Sequence, residues 1–206
     1  MIKINKENEP TSWKLYKNTP DVIYQATTDL RVALLAEQGF ICAYCMRTIP
    51  VKDIGNIETS RIDHIQCRTD NPELELEYTN MVICCPGFID GNEHCDKSKG
   101  NSPISLPLFN INLQNSISYS SKDGTIKSLN KTWSQEINSI IKLNNKRLKN
   151  NRLQTLDGIR YALEKRKWKK ADLENKLLEV SNFDIDGRQK QYCGIVIWYL
   201  QKKLRI

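Results

Sequence analysis

Six of the seven cysteines and both histidines of this 206-residue chain lie between positions 42 and 95. Thiolates and imidazoles bind metals, attack electrophiles and carry protons, so their crowding needs a chemical explanation. Cys42-Ala43-Tyr44-Cys45 is a CxxC knuckle, a tight turn whose two sulphurs converge. A redox dithiol has the same spacing, but that motif usually closes a strand in a βαβ unit, and no such pattern surrounds this one. Further thiols at Cys84, Cys85 and Cys95 favour zinc. Cys85 or Cys84, together with Cys95, would complete a four-thiolate tetrahedron. Such a site is structural, because protein fills every position.

Between the two cysteine groups, Arg61-Ile62-Asp63-His64-Ile65 flanks a polar pair with apolar residues. That pattern fits a short strand presenting Asp63 and His64 at a cleft. A lone histidine is more often a hydrogen-bonded structural residue. Here an adjacent carboxylate and a nearby metal knuckle supply the other parts of a site. Asn80 opens the apolar segment that leads to Cys84, and Asp96, Lys97 and Lys99 follow Cys95.

The CxxC, the Asp-His pair, the Asn five residues before Cys85 and the Cys95-Asp96 segment with its Lys-Gly together resemble the zinc-bearing HNH endonucleases of the ββα-metal class. The stretches RVALLAEQGFICAYC, YTNM and HCDKSKGN are more closely similar to the HNH subfamily encoded with bacterial retrons and Septu-type phage-defence systems. The resemblance covers residues 28–102 well and the remainder loosely. It implies an α+β fold, with a zinc-stapled ββα-metal core and a mainly α-helical C-terminal region. It also implies phosphodiester hydrolysis in nucleic acid, with DNA the default substrate and tRNA the second candidate.

A phosphodiester is shielded by negative charge and holds a basic leaving group, so its hydrolysis needs an activated water and a cation. The resemblance assigns these parts. His64 is the expected general base, and its ordinary pKa of about 6.5 leaves it largely neutral near pH 7. Asp63 and Asp96 are the expected ligands of a catalytic Mg²⁺ or Mn²⁺. His94 is the rival to Asp96, though hard oxygen donors suit magnesium better than imidazole. Asn80 would bond the loop that carries His64, and Lys99 would contact a flanking phosphate. The family pattern places a cysteine five residues after the Asn, which selects Cys85 over Cys84 as the partner of Cys42, Cys45 and Cys95 in the zinc site. The spacer from Cys85 to Cys95 is longer than the usual CxxC. The expected partner is an ATPase subunit of a defence complex, on a separate chain because no GxxxxGK[ST] loop occurs here. A non-catalytic zinc module that binds nucleic acid is the alternative function.

These residues need elements to hold them. DLRVALLAEQGF reads as a short helix capped by Thr28 or Asp29 and ended by Gly39, delivering the chain to Cys42. The preceding residues, 1–27, read as an extended or loosely turned arm packed on the domain. VKDIGNIETS is a polar loop. ISYSS and TIKSL flank Lys122-Asp123-Gly124, a hairpin signal. From 131 to 181 the apolar spacing is helical, and EKRKWKK (164–170) reads as a solvated helix face or a DNA clamp. A turn at NFDIDG precedes an apolar stripe from Tyr192 to Leu204 that suits a core helix. The expected division is an arm (1–27), a nuclease domain (28–130) and a basic helical region (131–206).

The formal net charge is +7, and residues 131–206 hold 18 Lys and Arg against 8 Asp and Glu. Such an excess suits a polyanionic partner. MIKINKENEP lacks an apolar signal core and no run of about 18 apolar residues follows, so a cytoplasmic protein without a membrane partner is expected.

Overall fold

The computed structural model describes residues 1–51, 58–165 and 167–205. Helix α2 (Thr28–Glu37) leads into the cysteine knuckle. Its N-cap is Thr27, one residue earlier than expected, whose hydroxyl accepts the Leu30 N–H. Leu30, Leu34 and Leu35 form its buried face. Gly39 takes a φ of +61°, and a Cβ there would stand 2.7 Å from that of Gln189. Both the left-handed turn and the close approach require glycine. Gln38 fixes the junction. Its side-chain nitrogen donates to the carbonyls of Ile41 (3.0 Å) and Ile83 (2.9 Å), and its oxygen accepts the Ile83 N–H (2.8 Å).

The arm holds more structure than its sequence predicts. A helix α1 (Thr11–Lys17) buries Trp13, only 1% exposed, and the indole N–H donates to the Leu76 carbonyl at 3.0 Å. Fewer than two helical turns leave no periodicity to read.

After the knuckle come strands β1 (Arg61–His64) and β2 (Met81–Cys84), paired antiparallel with Asp63 opposite Val82 and His64 opposite Met81. The β2 residues are all buried. The polar loop read before β1 falls largely on residues 52–57, outside the described residues. Strands β3 (Phe88–Ile89) and β4 (Asn92–Glu93) make a tiny hairpin that leads to helix α3 (Cys95–Lys99). Then follow a short helix α4 (Ile111–Ser116) and the expected hairpin, strands β5 (Ile117–Tyr119) and β6 (Ile126–Ser128) around Gly124. The described residues thus combine helices with three small antiparallel sheets, a mixed α and β architecture.

The later chain is helical, as its spacing predicts. It comprises α5 (Lys131–Gln135), a π-turn over 136–140, α6 (Lys146–Glu164), α7 (Lys170–Ser181) and α8 (Cys193–Leu204). Among its described residues the basic run 164–170 does not form a helix face. Helix α6 stops at Glu164, and Lys167 and Trp168 take left-handed conformations in a connector to α7. Trp168 packs edge-on against Tyr199 of α8, ring centroids 6.2 Å apart, so tertiary packing overrides local helix propensity.

One core joins the arm, the strands and the C-terminal helices: Trp13, Leu34, Val82, Tyr119, Leu156 and Ile195 all belong to it. Helix α8 reaches the knuckle directly, since the Tyr192 N–H donates to the Met46 carbonyl at 2.8 Å. No described helix is long and apolar enough to cross a membrane.

Burial of Trp13 in the shared core has a measurable consequence. Trp13→Ala should lower unfolding free energy by about 3–5 kcal/mol in chemical denaturation. Lys14→Ala, exposed on the same helix, should change it by less than about 0.5 kcal/mol.

Candidate metal centre and carboxylate–histidine cluster

The sulphurs of Cys42, Cys45, Cys85 and Cys95 lie within 4.8 Å of one another, and all four residues are buried. Cys42 to Cys95 and Cys45 to Cys85 are both 3.7 Å. A tetrahedron of about 2.3 Å zinc–sulphur bonds has sulphur–sulphur edges of about 3.8 Å. The group is therefore spaced to hold one metal ion such as zinc.

Local backbone builds this group. An isolated bridge between Ile41 and Thr48 closes the knuckle, the Cys42 N–H donates to Arg47, and Met46 turns with φ +62°. Ala43 N–H then hangs the knuckle on the Ile83 carbonyl of β2. Gly87 lets the spacer fold back: a Cβ there would sit 2.5 Å from the His94 carbonyl oxygen. Burial and the neighbouring thiols push the Cys45 and Cys95 thiols well up. Burial also opposes ionisation of Cys42, but hydrogen bonds from the surrounding thiols outweigh it and draw that thiol well down. Cys84 is within hydrogen-bonding reach of Cys42 yet stands outside the four-sulphur group.

His94, weighed as a rival to Asp96, is fully buried with Nδ1 3.0 Å from the Cys95 sulphur. Its imidazole sides with the thiols. Its Nε2 has no hydrogen-bond partner among the described residues.

Asp63, His64 and Asp96 come together beside the sulphur group. Asp63 and His64 are 4% and 6% exposed. The Asp63 and Asp96 carboxyls are close enough to share a hydrogen bond. Burial, then the charge and hydrogen bond of Asp63, raise the Asp96 pKa to about 7 against the pull of Arg61 and Lys99. Arg61 contacts Asp96 at 3.2 Å. Two facing carboxylates are hard donors under mutual repulsion, and a divalent cation relieves that repulsion.

His64 Nε2 lies 2.9 Å from the Glu75 carbonyl. A carbonyl only accepts, so Nε2 carries the proton and Nδ1 keeps its lone pair. Burial lowers the His64 pKa below its ordinary value, with the Glu75 carbonyl opposing. Asn80 brackets this arrangement. Its side-chain oxygen accepts the Gln66 N–H at 2.9 Å, and its nitrogen donates to Gln66 (3.0 Å) and Leu74 (3.2 Å). Those contacts tie down the residues after His64 and before Glu75.

Lys99 departs from expectation. It is 2% exposed, and its ammonium bonds Asp63 Oδ1 at 3.0 Å and the His64 carbonyl at 2.8 Å. Placed there, it compensates a buried carboxylate and does not reach toward a flanking phosphate. The sequence reading also missed Tyr44 and Tyr24. The Tyr44 hydroxyl donates to Asp63 Oδ2 from inside the CxxC. Tyr24, from the arm, packs edge-on to the His64 ring with centroids 4.6 Å apart, and the Arg68 guanidinium lies over the Tyr24 ring. Tyr44 was visible as an aromatic between the cysteines, whereas nothing in the arm's pattern points to His64.

The two halves of the site can be tested separately. Purified protein should carry about one zinc per chain by elemental analysis. Cys84→Ala should keep that metal, while Cys85→Ala should lose it and Cys42→Ser should fail to fold or stay soluble. Lys99→Met strands the Asp63 charge, so thermal and urea unfolding should show a loss of about 3–5 kcal/mol. A phosphate contact alone would leave stability unchanged.

No model of a known protein family matches the chain, and no curated protein matches it.

Proposed function

We propose that this chain is a metal-dependent HNH-type endonuclease that hydrolyses phosphodiester bonds in nucleic acid. The observation that carries this reading is the meeting of Asp63 and His64, on β1, with Asp96 on α3, while the Glu75 carbonyl orients the imidazole. The succession β1, β2, α3, with Asn80 at the head of β2, supports a ββα-metal core.

Asp63 and Asp96 would hold the Mg²⁺ or Mn²⁺. The chemistry such an ion supplies when bound is neutralisation of developing charge on the phosphodiester oxygens. His64 takes the proton of the attacking water on Nδ1, the nitrogen left with a lone pair. Asn80 acts through the backbone, holding Gln66 and Leu74 so that the ring does not swing. Burial keeps His64 neutral and ready to accept. The four cysteines hold a structural zinc that fixes the knuckle and α3 around this cluster. The likeness of residues 28–102 to retron-associated and Septu-type proteins supports an effector role in anti-phage defence beside an ATPase chain. DNA is the first substrate to test and tRNA the second.

One observation favours a different reading. Both Asp63 oxygens already have partners in Tyr44 and Lys99, as a purely structural carboxylate would. A non-catalytic zinc module that binds nucleic acid would need no more of Asp63.

The deciding assay incubates the zinc-loaded protein with plasmid DNA or total tRNA, in Mg²⁺, in Mn²⁺ or without divalent cation. Cation-dependent cutting is expected, and His64→Ala should fold normally yet lose at least about 10²-fold in rate. Failure of the folded, zinc-loaded protein to cut either polymer, with or without a genomically neighbouring ATPase, would overturn the nuclease reading.

A further inference from the structure

A second cluster of chemistry lies away from the sulphur and carboxylate groups, where the end of α6, residues 167–169 and the last turns of α8 meet. Trp168 packs against Tyr199, and the Lys203 ammonium stands 5.6 Å from the Trp168 ring centre and 5.8 Å from that of Tyr199. The Arg160 guanidinium covers Tyr199 at 5.1 Å. One turn along α6, Lys165 lies 4.3 Å over Tyr161, a ring 62% exposed. On α8, Lys202 lies 5.5 Å over Trp198. Cation–ring pairs therefore recur along the end of α6 and the last turns of α8, with Tyr161 exposed, Trp168 and Trp198 half-buried and Tyr199 buried beneath its cations.

The charges there are not satisfied within the protein. Asp157 is taken up by Arg160 at 2.9 Å. Among the described residues, Lys165, Lys167, Lys169, Lys202 and Lys203 are exposed and have no ion-pair partner. In place of carboxylates, three of them lie over aromatic rings, where an exposed cation is only weakly held. Such a lysine can swing to a phosphate and leave a ring face open.

We infer that this surface binds single-stranded nucleic acid, the lysines taking the phosphates while the exposed Tyr161 and the half-buried Trp168 and Trp198 stack on bases. Only a single strand offers both partners, because a duplex keeps its bases stacked on one another and presents phosphates alone. An anionic membrane would also attract lysine and tryptophan, but it needs apolar side chains to insert. The large exposed aliphatic residues, including Leu15, Leu129, Leu178 and Ile185, all lie on other segments. The same helix that carries Lys202 and Lys203 packs at its other end on the cysteine knuckle. Helix α8 starts at the zinc knuckle, through Tyr192 and Met46, and at 1.5 Å per residue its lysines lie about 15 Å further along. The inference uses the nuclease reading only for the class of partner, and binding needs no cleavage.

The test measures binding of the full-length, zinc-loaded protein to a labelled single-stranded oligonucleotide by fluorescence anisotropy, without divalent cation so that no cutting intervenes. The combined change Lys165→Glu, Lys202→Glu and Lys203→Glu should weaken binding by tenfold or more, and lower the slope of log affinity against log salt by about 2. Tyr161→Ala should weaken it by about fivefold or more, through lost stacking at an exposed position where folding is unaffected. The combination Lys3→Glu, Lys131→Glu and Lys146→Glu, with the same change in net charge on other elements, should stay within about twofold of the parent. Equal loss in the two triple variants would reduce the effect to net charge and overturn the proposal. So would duplex binding as tight as single-strand binding with no Tyr161 effect, or binding to phosphatidylserine vesicles but not to the oligonucleotide. Loss of binding in the first triple variant while plasmid and tRNA stay uncut by the parent would sink the nuclease reading and leave this surface standing.

Discussion

Four sulphur atoms from three separate stretches of chain are brought to within 4.8 Å in a fully buried setting, and that arrangement constrains everything around it. Buried thiols this close repel one another once ionised, and uncharged they give weak hydrogen bonds. A metal ion converts the same geometry into four strong bonds. It closes a loop between Cys42 and Cys95 that no continuous strand or helix spans. The strands in between are four and two residues long, too short to hold their own register without an external tie.

The sulphur group is linked to the carboxylate–histidine cluster by how closely its cysteines neighbour the cluster's residues. Tyr44 sits inside the CxxC and reaches Asp63. Asp96 directly follows Cys95, and Lys99 lies one turn further on the same helix, bonded to Asp63 and the His64 carbonyl. Arg61 pairs with Asp96 and stands opposite Cys84 in the sheet, beside Cys85. Positional error at the sulphurs would pass to the carboxylates through one or two covalently linked residues. Asn80 and the Glu75 carbonyl supply the remaining constraint on the imidazole, from a loop on the other side of β1.

Much of this was legible in the chain because the governing signals are local. The α2 helix and its end at Gly39, the hairpin around Gly124, and the helical spacing after residue 131 all follow from short-range rules, though the α2 cap fell one residue earlier, at Thr27. The CxxC spacing and the Asn-to-Cys85 interval likewise pointed to the sulphurs that now stand together. Features set by distant partners were not legible. Trp13 forms a helix because its indole finds Leu76, and Trp168 breaks one because it finds Tyr199. Lys99 looks like a free cation in HCDKSKGN, and only the folded chain shows that Asp63 needs its charge. Gln38, an ordinary helix-end residue in sequence, ties α2, the knuckle and β2 together through three hydrogen bonds to backbone groups.

The contact between Met46 and the start of α8 bears on how the protein matures. Residues 42–95 leave the ribosome about a hundred positions before the Tyr192 N–H that closes over Met46. At ~5–20 residues per second, that leaves about 5–20 s in which the four sulphurs have emerged but their cover has not been made. A metal ion taken by the four sulphurs could thus be captured from a nascent intermediate in which α8 has not yet packed on Met46.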